Sequence, residues 1–433
     1  MSSQPKQSSI PGPQDIFRKV LPNGITLLVR SNFNSSSVVL SGILGAGSLF
    51  DPPDKLGLAH FTATALMRGT RHADFQTIFE RLESVGASLG FGASVHNTSL
   101  GGRSLAEDLP LLVDTLTDCI LYPIFPEQYF DRLKSQLLTG LAIRAQDTNE
   151  MASLTFDRLL FPSHPYGVPE DGFSETVSAI TRDDLVNFHS RNYGPKNLVL
   201  VVVGAVTPEK VVDLFERKLG SWINPHMPEV PSFPDIHPPA ETRREHIPLQ
   251  GKSQTDIVMG TLGPKRHAEE YLAASLGNNI LGQFGMMGRI GEVVREKAGL
   301  AYYASTSVNS WINAGSWEVA AGVNPENIEK AIRLIIDELD RFRSEPVLST
   351  ELADSQANYI GRLPLSLESN AGVANSILNL ERFDLGLDYF QKYPDLIRAV
   401  TPEQILQAAQ KYIHPESLII ASAGPDATKR NKQ

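Results

Sequence analysis

Apolar positions along the chain mark out helices by their spacing and strands by their composition. Over Gly57–Arg68 and Asp74–Val85 they recur three and four residues apart, which gathers them on one face of a helix. Ile25–Arg30 and Ser37–Gly42 have strand composition, and Asn32–Ser36 between them reads as a turn. Ser88–Ser94 and Asn97–Arg103 look like a hairpin rich in Gly and Ser, and a long helical region runs from about Glu107 to Leu160. Strands adjacent in sequence argue for antiparallel pairs, and the later helix–strand alternation adds parallel ones.

The pattern then repeats. Thr181–Val206 reads TRDDLVNFHSRNYGPKNLVLVVVGAV and Thr401–Asp426 reads TPEQILQAAQKYIHPESLIIASAGPD. At a constant offset Thr181 falls on Thr401, Leu185 on Ile405, Pro195 on Pro415, Leu198 on Leu418 and Gly204 on Gly424. Each copy predicts a Thr N-cap, an amphipathic helix, a Pro turn and a buried strand ended by Gly. Between the copies, Asn224–Ala240 carries prolines at 225, 228, 231, 234, 238 and 239, a density that suits an extended tether.

The expected fold class is α+β, with two homologous domains in tandem, each a mixed, largely antiparallel sheet backed by helices. The expected boundaries are a tail over 1–16, a first domain over 17–222, a linker over 223–241, a second domain over 242–426 and a tail over 427–433.

Composition narrows the function. Among 433 residues, 39 Lys and Arg face 49 Asp and Glu, a net charge of −10. That balance lacks the basic footprint that nucleic acid requires. The longest apolar run, Leu198–Val206, is far short of the roughly 20 residues a spanning helix needs, so no membrane insertion is expected. The first 17 residues match neither a secretory signal nor a transit peptide, and a cytoplasmic location follows as the expectation. The single cysteine, Cys119, lies in the apolar run Val113–Leu121 and reads as a core residue.

Chemistry enters at Leu56–Thr70, LGLAHFTATALMRGT. This stretch resembles the pitrilysin and mitochondrial-processing-peptidase superfamily of zinc peptidases, whose motif is His-x-x-Glu-His on a helix. Supporting matches are LPNGITLLV at Leu21–Val29, HPYG at His164–Gly167, the Tyr193–Gly204 segment and VVREKAGLAYYAST at Val293–Thr306. In such a motif two His one turn apart hold zinc, and the intervening Glu deprotonates the metal-bound water. Here only His60 matches: Ala63 stands at the Glu position and Thr64 at the second His. The resemblance places the third ligand, a Glu, near Gly140 or Leu141, and no acidic residue occurs between Arg132 and Gln146. His72, His96, Glu80 and Glu83 lie nearby without paired spacing and read as surface residues. His60 itself is expected to be hydrogen-bonded and partly buried.

The resemblance also implies a substrate-binding pair, Arg295 and Tyr302, seven residues apart. An Arg presents a fork of donors to a peptide carbonyl or carboxylate, and a Tyr hydroxyl can donate to a developing oxyanion. Gly282, Gly285, Gly288 and Gly291 lack the Lys-Ser/Thr of a phosphate loop. They resemble a glycine-rich substrate loop in position, and a helix-packing role suits them equally. Hairpin Ser88–Arg103 takes the place of the family's edge strand, where peptide adds as a further strand.

The resemblance therefore implies a non-catalytic subunit of a two-chain zinc peptidase, without a metal or cofactor of its own. Its partner would be a catalytic subunit carrying His-x-x-Glu-His and zinc, and its substrates unfolded peptides. The alternatives are a structural core-type subunit of a larger complex and a peptide-binding homodimer that never cuts.

Overall fold

The computed structural model describes residues 10–426, so the expectations for 1–9 and 427–433 lie outside the described residues. Two compact units emerge. One comprises residues 10–141, Pro169–Ser232 and Leu363–Lys392. The other comprises Ala142–Val168, Phe233–Arg362 and residues 393–426.

The first unit is built on a six-stranded sheet of β1 (Phe17–Val20), β2 (Thr26–Ser31), β3 (Ser37–Leu44), β4 (Ser88–Ala93), β5 (Thr98–Leu105) and β6 (Val199–Gly204). Their order is β1-β2-β6-β3-β5-β4, and only β2 and β6 run parallel. The second unit holds β7 (Arg243–Pro248), β8 (Thr255–Gly263), β9 (Ala301–Ser310), β10 (Gly315–Val323) and β11 (Ile419–Gly424) in the order β7-β11-β8-β10-β9. Again one pair, β7 and β11, is parallel. Leaving β1 aside, the two orders correspond strand for strand, and the expected pair of mixed, largely antiparallel sheets backed by helices is the observed fold.

The repeat is visible at atomic level. Thr181 and Thr401 each cap their helix through a reciprocal box, with Asp184 and Gln404 as the returning side chains. Leu185 and Ile405 are both fully buried, as are nearly all residues of β6 and β11.

The helical region expected over Glu107–Leu160 is observed, and two other features depart from expectation. The helical region over Glu107–Leu160 is three helices, Leu109–Leu121, Glu127–Arg144 and Thr148–Leu160. Pro123 and Pro126 break the first junction, where Phe125 adopts a φ of 46°, and Asp147 caps the third helix by accepting from Glu150 N at 2.9 Å. The units also differ from the contiguous stretches 17–222 and 242–426. Helix Thr148–Leu160 covers β8 and β11 with Ala152, Phe156 and Leu160, and helix Asn370–Arg382 covers β3 and β6 with Val373, Ala374 and Ile377. A periodic apolar stripe says that a helix is covered without saying which sheet covers it. Finally, residues 10–16, expected in a tail, are packed: Ile16 is buried and Asp15 pairs with buried Arg30 at 2.7 Å. Residues 223–241 carry neither helix nor strand.

Candidate functional site

Helix Leu58–Ala65 starts at Gly57, which has a φ of +97°. A Cβ at this position would stand 2.7 Å from the Asp171 carbonyl oxygen, so only glycine fits. Asp51 secures that start. Its carboxylate accepts from Gly57 N and Ala59 N, both at 2.9 Å, satisfying donors that no helix can satisfy for itself. Burial pushes the Asp51 carboxyl up to about 7, against the opposing pull of the Ala59, Gly57 and Leu58 amides. The core side of the helix is Leu58, Ala59, Phe61, Thr62, Ala63 and Ala65, and Phe61 stacks on Phe130 of helix Glu127–Arg144 at 5.0 Å.

His60 lies on the other side, half-buried, and desolvation lowers its proton affinity against the opposing charges of Asp171 and Glu170. The hydrogen bond expected of its imidazole is not made among the described residues. Ala63 presents a buried methyl. The Thr64 hydroxyl donates back to the His60 and Phe61 carbonyls at 3.1 and 3.0 Å. Gly140 is exposed to open space and offers no side-chain donor, and Leu141 is buried apolar. One imidazole does not make a zinc site, and this donor set does not fit the metal. No group of three His, Cys, Asp or Glu converges among the described residues. His72 is instead paired with the Asp118 carboxylate, and Glu80 accepts from Gln76 at 2.7 Å.

β4 is the terminal strand of its sheet, paired with β5 on one side and with no strand on the other among the described residues. Helix Leu58–Ala65 packs against it, so an added strand there would run beside that helix.

In the second unit, Arg295 belongs to a π-helical stretch, Glu292–Lys297, with a loose ion pair to Glu296 at 3.6 Å. Irregular helix of this kind is frequent at functional sites. Tyr302 stands near the start of edge strand β9 with 66% of its surface exposed and no hydrogen-bond partner among the described residues. Its neighbour Tyr303 is anchored. The Tyr303 hydroxyl donates to Asp256 at 2.8 Å and accepts from Asn149 at 2.7 Å, while Thr148 and Gln254 also donate to Asp256. Burial, followed by the bond to Asp256 and its charge, raises the Tyr303 phenol's pKa.

Gly282 and Gly291 end their helices, while Gly285 and Gly288 lie within the second one. Helices Tyr271–Gly282 and Phe284–Gly291 meet where a Cβ on Gly288 would lie 2.6 Å from Gly282 N and one on Gly282 2.3 Å from Thr306 Oγ1. Close backbone packing is therefore a demonstrated role for these two. Arg289 in that segment is held by Glu351 at 2.8 and 2.5 Å. Sequence reasoning missed Asp51 and the Asp256 network. A carboxylate shortly before a helix start was a usable signal for Asp51; Asp256 offered none, because Thr148 and Tyr303 are remote from it in sequence.

Residues 26–159 match the family model described as insulinase (peptidase family M16), and residues 179–359 match the one described as peptidase M16 inactive domain. The chain belongs to peptidase family M16. An uncharacterized zinc protease of Mycobacterium tuberculosis is 26% identical to it, covering 96% of this chain and 94% of that protein. The mitochondrial-processing peptidase subunit beta of Saccharomyces cerevisiae is 25% identical over 86% of this chain and 82% of its own. Among solved structures, a peptidase M16 inactive domain from Pseudomonas fluorescens superposes with a TM-score of 0.88 at 26% identity, covering 95% and 98% of the two chains. A protease from Helicobacter pylori shares the fold at the same TM-score and 18% identity, over 96% of this chain and all of the other. Among the described residues no helix is long and apolar enough to cross a membrane.

Proposed function

We propose that this M16 chain is the non-catalytic subunit of a two-chain zinc peptidase, supplying Arg295 and Tyr302 to bind peptide in a catalytic partner's reaction. The observation that carries the reading is a contrast within one chain. The helix that would hold zinc offers His60 alone, while Arg295 and Tyr302 keep accessible positions. The unpaired edge of β4 supports peptide binding through backbone groups, which is indifferent to peptide sequence and suits unfolded substrates. Zinc belongs to the partner in this reading, with the partner's own His-x-x-Glu-His holding it.

Native mass spectrometry of the chain purified gently from its own cells tests the reading. A complex with a second chain and one zinc is the expected result, and a zinc-free homodimer would overturn it in favour of a peptide binder or scaffold. Within the complex, Arg295→Ala and Tyr302→Phe should lower peptide turnover while zinc content stays unchanged. Unchanged turnover in both variants removes the role assigned to the pair.

A further inference from the structure

Helix Leu58–Ala65 continues into a 3-10 turn, Leu66–Arg68, and Arg68 at its end faces a cavity of about 100 Å³. The other lining residues are Phe75, Tyr129, Arg132, Leu133 and Gln136. The Arg68 guanidinium lies 4.9 Å from the Phe75 ring centroid, and the Phe75 and Tyr129 rings are 5.0 Å apart. Two cations thus share one small space beside aromatic walls. Neither Arg68 nor Arg132 has an acidic partner among the described residues, and Arg68 Nε is buried with no hydrogen-bond acceptor. Burial, and after it the charge of Arg132, weakens the hold of Arg68 on its proton.

Arg289 shows what a structurally satisfied arginine looks like in this chain. Its guanidinium is bidentate to Glu351 and lies 3.9 Å from Glu338. Arg68 is partly buried, with its Nε enclosed and no acceptor on it. Leaving a buried donor unpaired beside a like charge is unfavourable, and an entering anion removes both costs.

We propose that this cavity is a binding site for a carboxylate group. Arg68 and Arg132 supply planar forks of N–H donors, the Gln136 amide and Tyr129 hydroxyl supply further polar contacts at the wall, and Phe75 and Leu133 receive the apolar stem. The volume suits a carboxylate with one or two methylenes. A phosphate would bring no apolar portion to match the two apolar walls. The carboxylate's source is either a small free acid or a peptide; only the second source rests on the peptide-binding reading above.

Calorimetric titration of the full chain tests the site with four probes: propionate, a short unstructured peptide with a free C-terminus, its C-terminal amide, and inorganic phosphate. Propionate and the free-acid peptide are expected to bind. Arg132→Gln, at an exposed position that folding tolerates, should weaken both at least about tenfold, as should Arg68→Lys, which keeps the charge and loses the fork. A peptide acid that binds at least tenfold more tightly than propionate, with the amide silent, identifies a peptide source. Equal affinity for propionate and peptide acid identifies a free acid, supporting the site while counting against its use for peptides. Absence of carboxylate binding, affinity unchanged in both variants, or tighter binding of phosphate than propionate would overturn the proposal.

Discussion

Tyr302 and Tyr303 are adjacent, yet the structure assigns them opposite physical roles, and removal of one hydroxyl from each separates those roles. Tyr303→Phe deletes a donor to Asp256 and an acceptor for Asn149. A hydrogen bond to a charged group contributes about 1.5–3 kcal/mol. Asp256, only 2% exposed, keeps its bonds from Thr148 and Gln254, so it is not stranded, and the Asn149 amide can turn to water. These compensations put Tyr303→Phe at the low end, about 1.5–2 kcal/mol, a ten- to thirty-fold loss in the folded-to-unfolded ratio. Tyr302→Phe touches an exposed side chain with no partner and should stay within about 0.5 kcal/mol. Urea denaturation reads both, as a lowered midpoint at unchanged slope for Tyr303→Phe and coincident curves for Tyr302→Phe. Equal destabilisation by the two substitutions, or none from Tyr303→Phe, would refute the division between anchoring and accessible tyrosines.

The pH dependence of the first unit carries two opposed contributions. Asp51, raised to about 7, binds a proton when folded that the unfolded chain releases near pH 4, so it lowers stability as pH rises through that window by about 1.4 kcal/mol per unit. Asp51→Asn should remove that fall, and a wild-type-like difference across pH 4–7 in denaturant titrations would contradict it. Burial depresses His189 to about 4, against its bond to the Ile120 carbonyl. Stability that depends on neutral His189 is accordingly lost as pH drops from 6.5 through 4, and His189→Gln should flatten that limb. The buried Cys119 thiol, pushed up to about 12 by desolvation, should resist aqueous thiol reagents until the chain is unfolded; rapid labelling of native protein would say otherwise. Gly57→Ala should cost about 1–3 kcal/mol through its positive φ and the Asp171 contact, seen as a lower unfolding temperature.

Local chemistry made much of the fold legible. Strand composition and turn residues located β2, β3 and the β4–β5 hairpin to within about two residues, because those signals depend on near neighbours. Thr181 and Thr401 announced their helices for the same reason. The destination of helices Thr148–Leu160 and Asn370–Arg382 was not legible, since neither stripe encodes which strands it will cover. At the candidate site, His60, Ala63 and Thr64 were singled out by the resemblance of one short stretch to a zinc-peptidase motif, a signal confined to near neighbours. The Asp256 network could not be found that way, because Thr148 and Tyr303 reach it across 108 and 47 residues of chain.

Why a helix can keep this fold without a metal follows from its two faces. The packing of Leu58–Ala65 rests on Leu58, Ala59, Phe61 and Ala65, with the Phe61–Phe130 stack fixing its neighbour. The positions that would carry donors contribute little to that packing beyond the methyl of Ala63, and Thr64 satisfies its hydroxyl on its own helix. Stability and metal chemistry therefore depend on nearly separate residues one turn apart. Close superposition on a protease consequently says nothing about whether metal is held, because the core face and the Gly57 and Asp51 start hold the backbone without any metal ligand. The informative comparison is between side chains at His60, Thr64 and Gly140, where the resemblance puts zinc ligands and two of the three positions lack a good zinc donor, and at Ala63, where it puts the general base.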